Sequence, residues 1–118
     1  MTEKQIAELI RLPRTDKGNG ERLRRLFGRT WQYLPRYKTW MHWDGHCWEG
    51  RKTRDLLWAA AEAFQELALE IYRLPVPADD MSEQRLRLRV IHWLAKSQTD
   101  CRRRMAVKYF KAMPGEEN

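Results

Sequence analysis

The sequence contains little cysteine and no long apolar run. Its 118 residues include only two cysteines, Cys47 and Cys101, too few for a disulfide framework in a chain of this size. No stretch approaches the roughly 18 apolar residues that a membrane span needs, and no charged-then-apolar leader occupies the N-terminus. We therefore expect a soluble, cytoplasmic protein with both thiols reduced and no membrane partner.

Motifs for catalysis, metal binding and nucleotide hydrolysis are also lacking. The stretch "GNG" at 18–20 does not continue into the Gly-x-x-x-x-Gly-Lys-Ser/Thr pattern of a phosphate-binding loop. A zinc site would need His42, His46 and Cys47 plus a fourth ligand from a distant part of the chain. His46 and Cys47 are neighbours on a predicted strand and point to opposite faces, which disfavours a Cys–His nucleophile. We predict a non-enzymatic protein with no cofactor and no metal.

Positive charge is unevenly distributed along the chain. The net charge is +7, from 23 Lys and Arg against 16 Asp and Glu. Residues 11–38 hold nine basic and two acidic side chains, residues 39–84 hold four and nine, and residues 85–111 hold nine and one. Two basic segments therefore flank an acidic middle segment. Charge that served only to keep the protein soluble would not be divided in this way. The pattern indicates a polyanionic partner.

Four helices are predicted towards the two ends of the chain. The first covers residues 3–11 behind a Thr2 cap, and the second begins near Asn19. Two more are predicted over about 82–97 and 99–112. The last helix is expected to carry on one side Cys101, Met105, Tyr109 and Met113.

The middle of the chain predicts a small sheet followed by a long helix. Asp44-Gly45 is a hairpin signal within a period-two pattern, and strands are predicted near 31–34, 39–43 and 47–50. A two-residue turn would pair Trp43 with His46, whereas a longer loop would change the pairing. A wide apolar face predicts a central helix over 52–73, with a polar line at Glu62, Glu66 and Glu70. The fold class is α+β, mainly α: about five helices, with the antiparallel sheet packed on the long helix.

Half of the six tryptophans lie between residues 39 and 50. A platform for stacking single-stranded bases would need exposed rings in a basic groove. A short hairpin has little core of its own, however, and needs large rings to bury against a helix. We predict that Trp43 and Trp48 are core residues and leave the role of Trp40 open.

The candidate nucleic-acid contacts are cationic side chains at helical spacing. Arg85, Arg89, His92 and Lys96 form one stripe, which is unfavourable in an isolated helix unless a partner neutralises it. Internal pairing with the Glu62–Glu70 line and an acidic protein partner are the alternatives. The full candidate set is Arg85, Arg89, His92, Lys96, Arg102, Arg103, Arg104, Lys108 and Lys111, with Arg22, Arg25 and Arg29 on the outer face of the second helix.

The segment "GNGERLRRLFGRTWQYLPRYKTWMHWDGHCWEG" carries a family resemblance. It resembles the module that precedes the superfamily-three helicase in phage and plasmid primase-helicases, named for its likeness to the poxvirus primase-helicase N-terminal region. The matching residues are Asn19, Glu21, Arg22, Pro35, Trp40, Asp44, Gly45 and Trp48, with Ser97 and Met105 near the end; Gly20 replaces a usual Ala. We expect a single domain over 1–118, with the family-like region at 16–113 between an N-terminal helix and loop (1–15) and a tail (114–118).

The resemblance implies an accessory role in replication initiation, by DNA binding or by docking helicase subunits, in the cytoplasm of a bacterial host. Combined with the charge pattern, it predicts a nucleic-acid-binding accessory domain of a mobile-element primase-helicase, with DNA favoured over RNA. Two alternatives stay open: a protein-interaction module for a helicase or primase, and a small phage-borne inhibitor that occupies the acidic surface of a host nucleic-acid machine.

Overall fold

Five helices and a three-stranded antiparallel sheet form the structure, a computed structural model that describes residues 1–76 and 78–113. The mainly α, α+β prediction is confirmed, and the predicted 114–118 tail lies outside the described residues. In chain order the elements are α1 (Glu3–Ile10), α2 (Asp16–Phe27), β1 (Trp31–Leu34), β2 (Thr39–Trp43), β3 (Trp48–Arg51), α3 (Thr53–Arg73), α4 (Met81–Lys96) and α5 (Asp100–Ala112).

Threonine caps set the starts of the first two helices. The Thr2 hydroxyl accepts a hydrogen bond from the Gln5 backbone N–H, and the Gln5 side chain accepts one from the Thr2 N–H, a capping box. Thr15 caps α2 by accepting from the Gly18 N–H at 2.9 Å. The predicted start near Asn19 was therefore wrong by three residues, because a threonine cap and Asp16 in the first turn outweigh the helix-breaking glycines.

The strands pair in the order β1-β2-β3, and the hairpin loop spans residues 44–47. Trp43 pairs with Trp48, so of the two alternatives left open the longer loop is the one that forms, and the two-residue turn that would pair Trp43 with His46 does not. The Asp44 carboxylate accepts hydrogen bonds from the backbone N–H groups of His46 and Cys47, at 2.7 and 2.9 Å. These bonds close a longer loop, and β3 begins one residue later than predicted.

The sheet buries a different tryptophan from those predicted. Trp40 is 2% exposed and packs against Tyr33 and against Phe110 of α5, each at 5.2 Å between ring centroids. Trp43 and Trp48 remain 37% and 38% exposed and contact each other at 5.6 Å, so the prediction that they are core residues was wrong. Trp40 and Trp43 are three residues apart on one strand, and an odd separation places them on opposite faces.

Helix α3 carries the centre of the core, as its apolar face predicted. Phe64, on the predicted apolar face of α3, is fully buried, and so is Leu56, which the predicted face did not include. Val90 and Leu94 of α4 lie in the same core. The buried side of α5 is formed by Ala106, Val107 and Phe110. The prediction that Cys101 and Tyr109 lie on the buried side of α5 was wrong, because both are exposed. The buried face is displaced by one residue, or about 100° around the helix axis, from the predicted one.

A buried polar contact joins the C-terminal end of α4 to α2. Asn19 of α2 is fully buried and donates from its side-chain nitrogen to the Ser97 hydroxyl at 2.9 Å. The Ser97 hydroxyl in turn donates to the Trp93 carbonyl at 2.7 Å. With this side of α4 held against α2, and Val90 and Leu94 turned into the core, the remaining face of α4 points to solvent.

Candidate nucleic-acid interface

The exposed face of α4 presents the cationic row that the sequence predicted. Arg85, Arg89, His92 and Lys96 are all exposed, and they follow one another at helical spacing. At a rise of about 1.5 Å per residue, the row is about 16 Å long. We call these four residues the α4 row.

The α4 row has no carboxylate partner within residues 1–76 and 78–113. No hydrogen bond or ion pair in that part of the chain involves any of its four side chains. The predicted alternative, pairing with Glu62, Glu66 and Glu70, is therefore not formed among the described residues. The arginine of α4 that does pair is Arg87, which binds Glu83 at 3.3 Å and the backbone carbonyls of Leu74 and Pro75.

Arg22 does not belong to the exposed interface. Its side chain is 0% exposed, and it donates to the backbone carbonyls of Leu9, Leu12 and Pro13 at 2.8–3.2 Å. These bonds satisfy carbonyl groups at and beyond the end of α1. Burial, and then the nearby Arg14 charge, lower the pKa of Arg22 to about 10, so the guanidinium is still charged at neutral pH. The prediction that Arg22 lies on the outer face of α2 and contacts nucleic acid was wrong.

The other two candidates of this region are Arg25 on α2 and Arg29, which lies in the turn after α2 and not on its outer face as predicted. Arg25 contacts Glu21 at 3.2 Å and Glu8 at 3.4 Å. Hydrogen bonds from Arg24, and then from Arg25, lower the pKa of Glu21 although partial burial opposes them. Arg29 lines the same groove between α1 and α2 as Arg24 and Arg25. This groove is therefore partly neutralised from within the fold.

The first turns of α5 carry three consecutive arginines in three different environments. Arg102 contacts Asp16 at 3.3 Å and stacks over the Trp93 ring at 4.7 Å. Arg104 binds Asp100 at 2.7 Å. The Nε atom of Arg103 is buried and has no hydrogen-bond partner among the described residues.

Two lysines extend the cationic side of α5 towards its C-terminus. Lys108 is exposed, and no described residue pairs with it. The Lys111 ammonium lies 4.2 Å from the centre of the Tyr33 ring, a cation–π distance. Both lysines and Arg104 line one groove of about 190 Å³ beside Trp40.

The hairpin does not form the zinc or nucleophile arrangements that the sequence raised. The His42 ring packs on Trp31 at 4.4 Å, and the potential ligand atoms that lie together on the hairpin are those of Asp44, Cys47 and Glu49, without His42 or His46. Partial desolvation, and then the Asp44 carboxylate, raise the pKa of the Cys47 thiol. A raised pKa favours the protonated thiol, the opposite of what an activated nucleophile requires.

Sequence reasoning missed one exposed aromatic residue among the cations. Trp58 on α3 is 66% exposed and lines a groove with Arg54 of α3 and with Arg103 and Arg104 of α5. The available signal was its position: Trp58 directly follows Leu57 of the apolar stripe and precedes Ala60, so helical periodicity turns it away from the core.

Comparisons with known proteins give the chain a family. The family model described as "D5 N terminal like" matches residues 20–114. No curated protein and no solved structure matched the chain. None of the described helices is long and apolar enough to cross a membrane.

The residues that carry the family resemblance are largely those that hold the fold together. Asn19 and Ser97 join α2 to α4, Arg22 binds the end of α1, Trp40 lies in the core, and Asp44 closes the hairpin loop. The match extends over most of the 118 residues. The chain therefore belongs to the D5 N-terminal-like family, the N-terminal domain of primase-helicase proteins.

Proposed function

We propose that this primase-helicase-associated domain is non-enzymatic and binds nucleic acid, DNA rather than RNA, through phosphate contacts. The α4 row carries the proposal, because Arg85, Arg89 and Lys96 lie exposed with His92 along one helix face and have no neutralising partner among the described residues. Lys108 and Arg103 add positive charge on α5.

The physical reason is that like charges along one helix face destabilise the folded protein. Cations at i, i+4 on one helix disfavour the folded state by a few tenths of a kcal/mol for each pair. A polyphosphate neutralises the row and releases counterions, and this makes binding favourable and dependent on salt. In a duplex, successive phosphates of one strand advance about 3.4 Å along the axis, so a row of about 16 Å spans four to five of them.

The expected specificity is low. Phosphate contacts position a protein on nucleic acid but carry no sequence information. The arginines and the lysine of the α4 row suit phosphate oxygens as well as guanine, and no residue of the row can be assigned to a base edge. We therefore expect similar affinities for duplexes of unrelated sequence.

A mobility-shift titration of labelled duplex across about 50–200 mM salt tests the proposal. If five groups reach phosphates, the logarithm of the affinity falls with the logarithm of salt at a slope near −4.5, about −0.9 for each contact. Reversing Arg85, Arg89 and Lys96 to Glu removes three of these contacts and brings the slope to about −1.8. A slope near zero for the unaltered protein overturns the proposal.

A matched control separates local contacts from net charge. Lys4, Arg14 and Arg36 are exposed and lie outside α4 and α5. Reversing these three to Glu changes the net charge by the same amount as the α4 variant. We expect the control to keep a slope near −4.5, and equal slopes for the two triple variants would show that net charge alone drives binding.

An apolar surface beside α4 favours protein docking as a second candidate function. Leu69, Tyr72 and Leu88 are 46%, 77% and 63% exposed, and a groove of about 560 Å³ lies between α3 and α4. A helicase or primase subunit with an acidic surface would bury these side chains and pair with the α4 row. This candidate predicts salt-sensitive binding to the purified protein partner with no binding to oligonucleotides.

A further inference from the structure

Trp58 is the most exposed of the six tryptophans, and its neighbours on α3 explain why. The preceding Leu57 and the following Ala60 are buried, so Trp58 points outwards at 66% exposure. Trp58 therefore offers a ring face to solvent, and tryptophan is enriched at interfaces because it combines a large apolar ring with an N–H donor. The side chains around Trp58 indicate which partner fits.

Trp58 lies in a groove with three arginines. The groove, of about 420 Å³, is formed by the first turns of α3 and α5. Its walls include Arg54 on one side and Arg103 and Arg104 on the other, with Asp100 as the acidic residue. Three guanidiniums against one carboxylate leave a net positive charge of two beside an exposed indole ring.

Two of the three guanidiniums have unused hydrogen-bonding capacity. The Nε atom of Arg103 is buried without a hydrogen-bond partner, which is costly unless a ligand or water satisfies it. Arg54 is exposed and has no partner among the described residues. Arg104 binds Asp100, but both side chains are more than 60% exposed, so this pair can exchange for a phosphate at little cost.

The groove continues along α5. Thr53, Leu57 and Arg104 line both this groove and the adjoining one, which leads past Lys108 to Lys111. From Arg104 to Lys111 the track follows α5 for about 10 Å. A track of cations that begins at an aromatic ring suits a polymer of phosphates better than a single nucleotide.

We infer that Trp58, with Arg54, Arg103 and Arg104, forms a site for single-stranded nucleic acid, in which the indole stacks on a base and the guanidiniums bind the adjoining phosphates. A duplex keeps its bases stacked inside and offers no free ring face, whereas a single strand does. An acidic peptide would use the arginines but leave the indole in water. The inference rests on the proposed function and adds to it a preference for unpaired strands.

Fluorescence anisotropy with three labelled probes tests the site. The probes are an oligothymidylate of about 12 nucleotides, within the usual range of single-strand sites, an abasic strand of equal length, and a matching duplex. Trp58→Ala should weaken oligothymidylate binding about 5- to 150-fold, the loss of one stacked base, and leave the salt slope unchanged. The same variant should bind the abasic strand as well as the unaltered protein does, because that strand has nothing to stack.

Three further variants complete the design. Trp58→Phe should recover most of the affinity, because a phenyl ring also stacks. Trp43→Ala removes a tryptophan that is 37% exposed on the sheet and should leave binding unchanged. Arg54→Gln should reduce the magnitude of the salt slope for the single strand by about 0.7, the value for one phosphate contact.

The outcomes distinguish this inference from the proposed function. If Trp58→Ala binds oligothymidylate like the unaltered protein while a steep salt slope remains, the stacking site is wrong and phosphate binding stands. If the unaltered protein binds none of the three probes, both are wrong. Circular dichroism of Trp58→Ala confirms that any loss of affinity does not come from unfolding.

Discussion

The indole N–H of Trp93 donates a hydrogen bond to the side-chain oxygen of Asn19, at 2.9 Å. Asn19 is fully buried, and the same oxygen accepts from Arg22 at 3.3 Å while the Asn19 nitrogen donates to Ser97. One short side chain thus connects α2, α4 and the guanidinium that binds the end of α1. This contact joins α4 to α2, while Val90 and Leu94 fix the buried face of α4.

Asn19→Ala should destabilise the fold strongly. The substitution leaves the Trp93 indole N–H without its acceptor and removes the bonds to Arg22 and to the Ser97 hydroxyl, which still donates to the Trp93 carbonyl. An unsatisfied buried group costs about 1–3 kcal/mol. We expect the free energy of unfolding to fall by about 2–4 kcal/mol, measured by urea denaturation. Ser82→Ala, at an exposed position of α4, should change the free energy of unfolding by less than about 0.5 kcal/mol. An equally small effect at Asn19 would show that the contact contributes nothing.

Gly20→Ala and Gly50→Ala should change stability in opposite directions. A Cβ at Gly20 would lie 2.5 Å from the Tyr109 Cβ and 3.1 Å from the Phe110 nitrogen, because α2 and α5 approach closely there. Overpacking costs about 1–3 kcal/mol and outweighs the gain of about 1 kcal/mol in helix propensity. A Cβ at Gly50 meets nothing within 4 Å, so alanine should stabilise that strand by about 0.5–1 kcal/mol.

Thermal and urea unfolding of both glycine variants measure these effects. A stabilised Gly20→Ala protein would mean that α2 and α5 can separate without loss. In this chain the Tyr109 Cβ and backbone atoms of α5 lie where a methyl group at Gly20 would need space.

The elements of this fold were predictable because local signals set them. Thr2 and the apolar period define α1, and the alternation around Asp44-Gly45 defines a hairpin. The α4 row was predictable for the same reason, since Val90 and Leu94 fix the buried face and helical geometry places the cations opposite.

The sequence-based predictions failed where contacts between distant parts of the chain decide which side chain is buried. Arg22 has the spacing of an exposed cation, and only the folded positions of the Leu9, Leu12 and Pro13 carbonyls draw it inside. Trp40 and Trp43 look alike in sequence, and the position of α5 beneath the sheet selects Trp40 for burial. Neither contact can be predicted from the spacing of apolar and charged residues around Arg22 or Trp40.

Trp40→Ala and Trp43→Ala should separate the two faces of the sheet. Trp40 is buried against Phe110, and truncating a buried aromatic ring costs about 3–5 kcal/mol. Trp43 is 37% exposed and loses mainly its contact with Trp48, worth about 0.5–1.5 kcal/mol. Urea denaturation should therefore show a larger loss in the free energy of unfolding for Trp40→Ala, and a larger loss for Trp43→Ala would contradict the burial of Trp40 rather than Trp43.

The Asp44 carboxylate should make the hairpin sensitive to acid. Hydrogen bonds from the N–H groups of Cys47 and then His46 lower the pKa of Asp44 from 3.8 to about 2. The folded state therefore binds fewer protons than the unfolded state between these values, and stability falls as the pH falls through this range. The contribution of Asp44 is complete above about pH 4 and is lost near pH 2.

Asp44→Asn tests this pH dependence because it removes the titration and keeps one acceptor oxygen. At neutral pH the variant should melt at a lower temperature than the unaltered protein, since a neutral amide accepts the two N–H bonds more weakly than a carboxylate. The difference should shrink as the pH falls from about 4 to about 2, where the carboxyl of the unaltered protein becomes protonated. Asp79→Asn, an exposed carboxyl with no hydrogen bond to a described residue, is the control and should show no such convergence. A difference in melting temperature that stays constant down to pH 2 would mean that the two backbone bonds do not depend on the charge of Asp44.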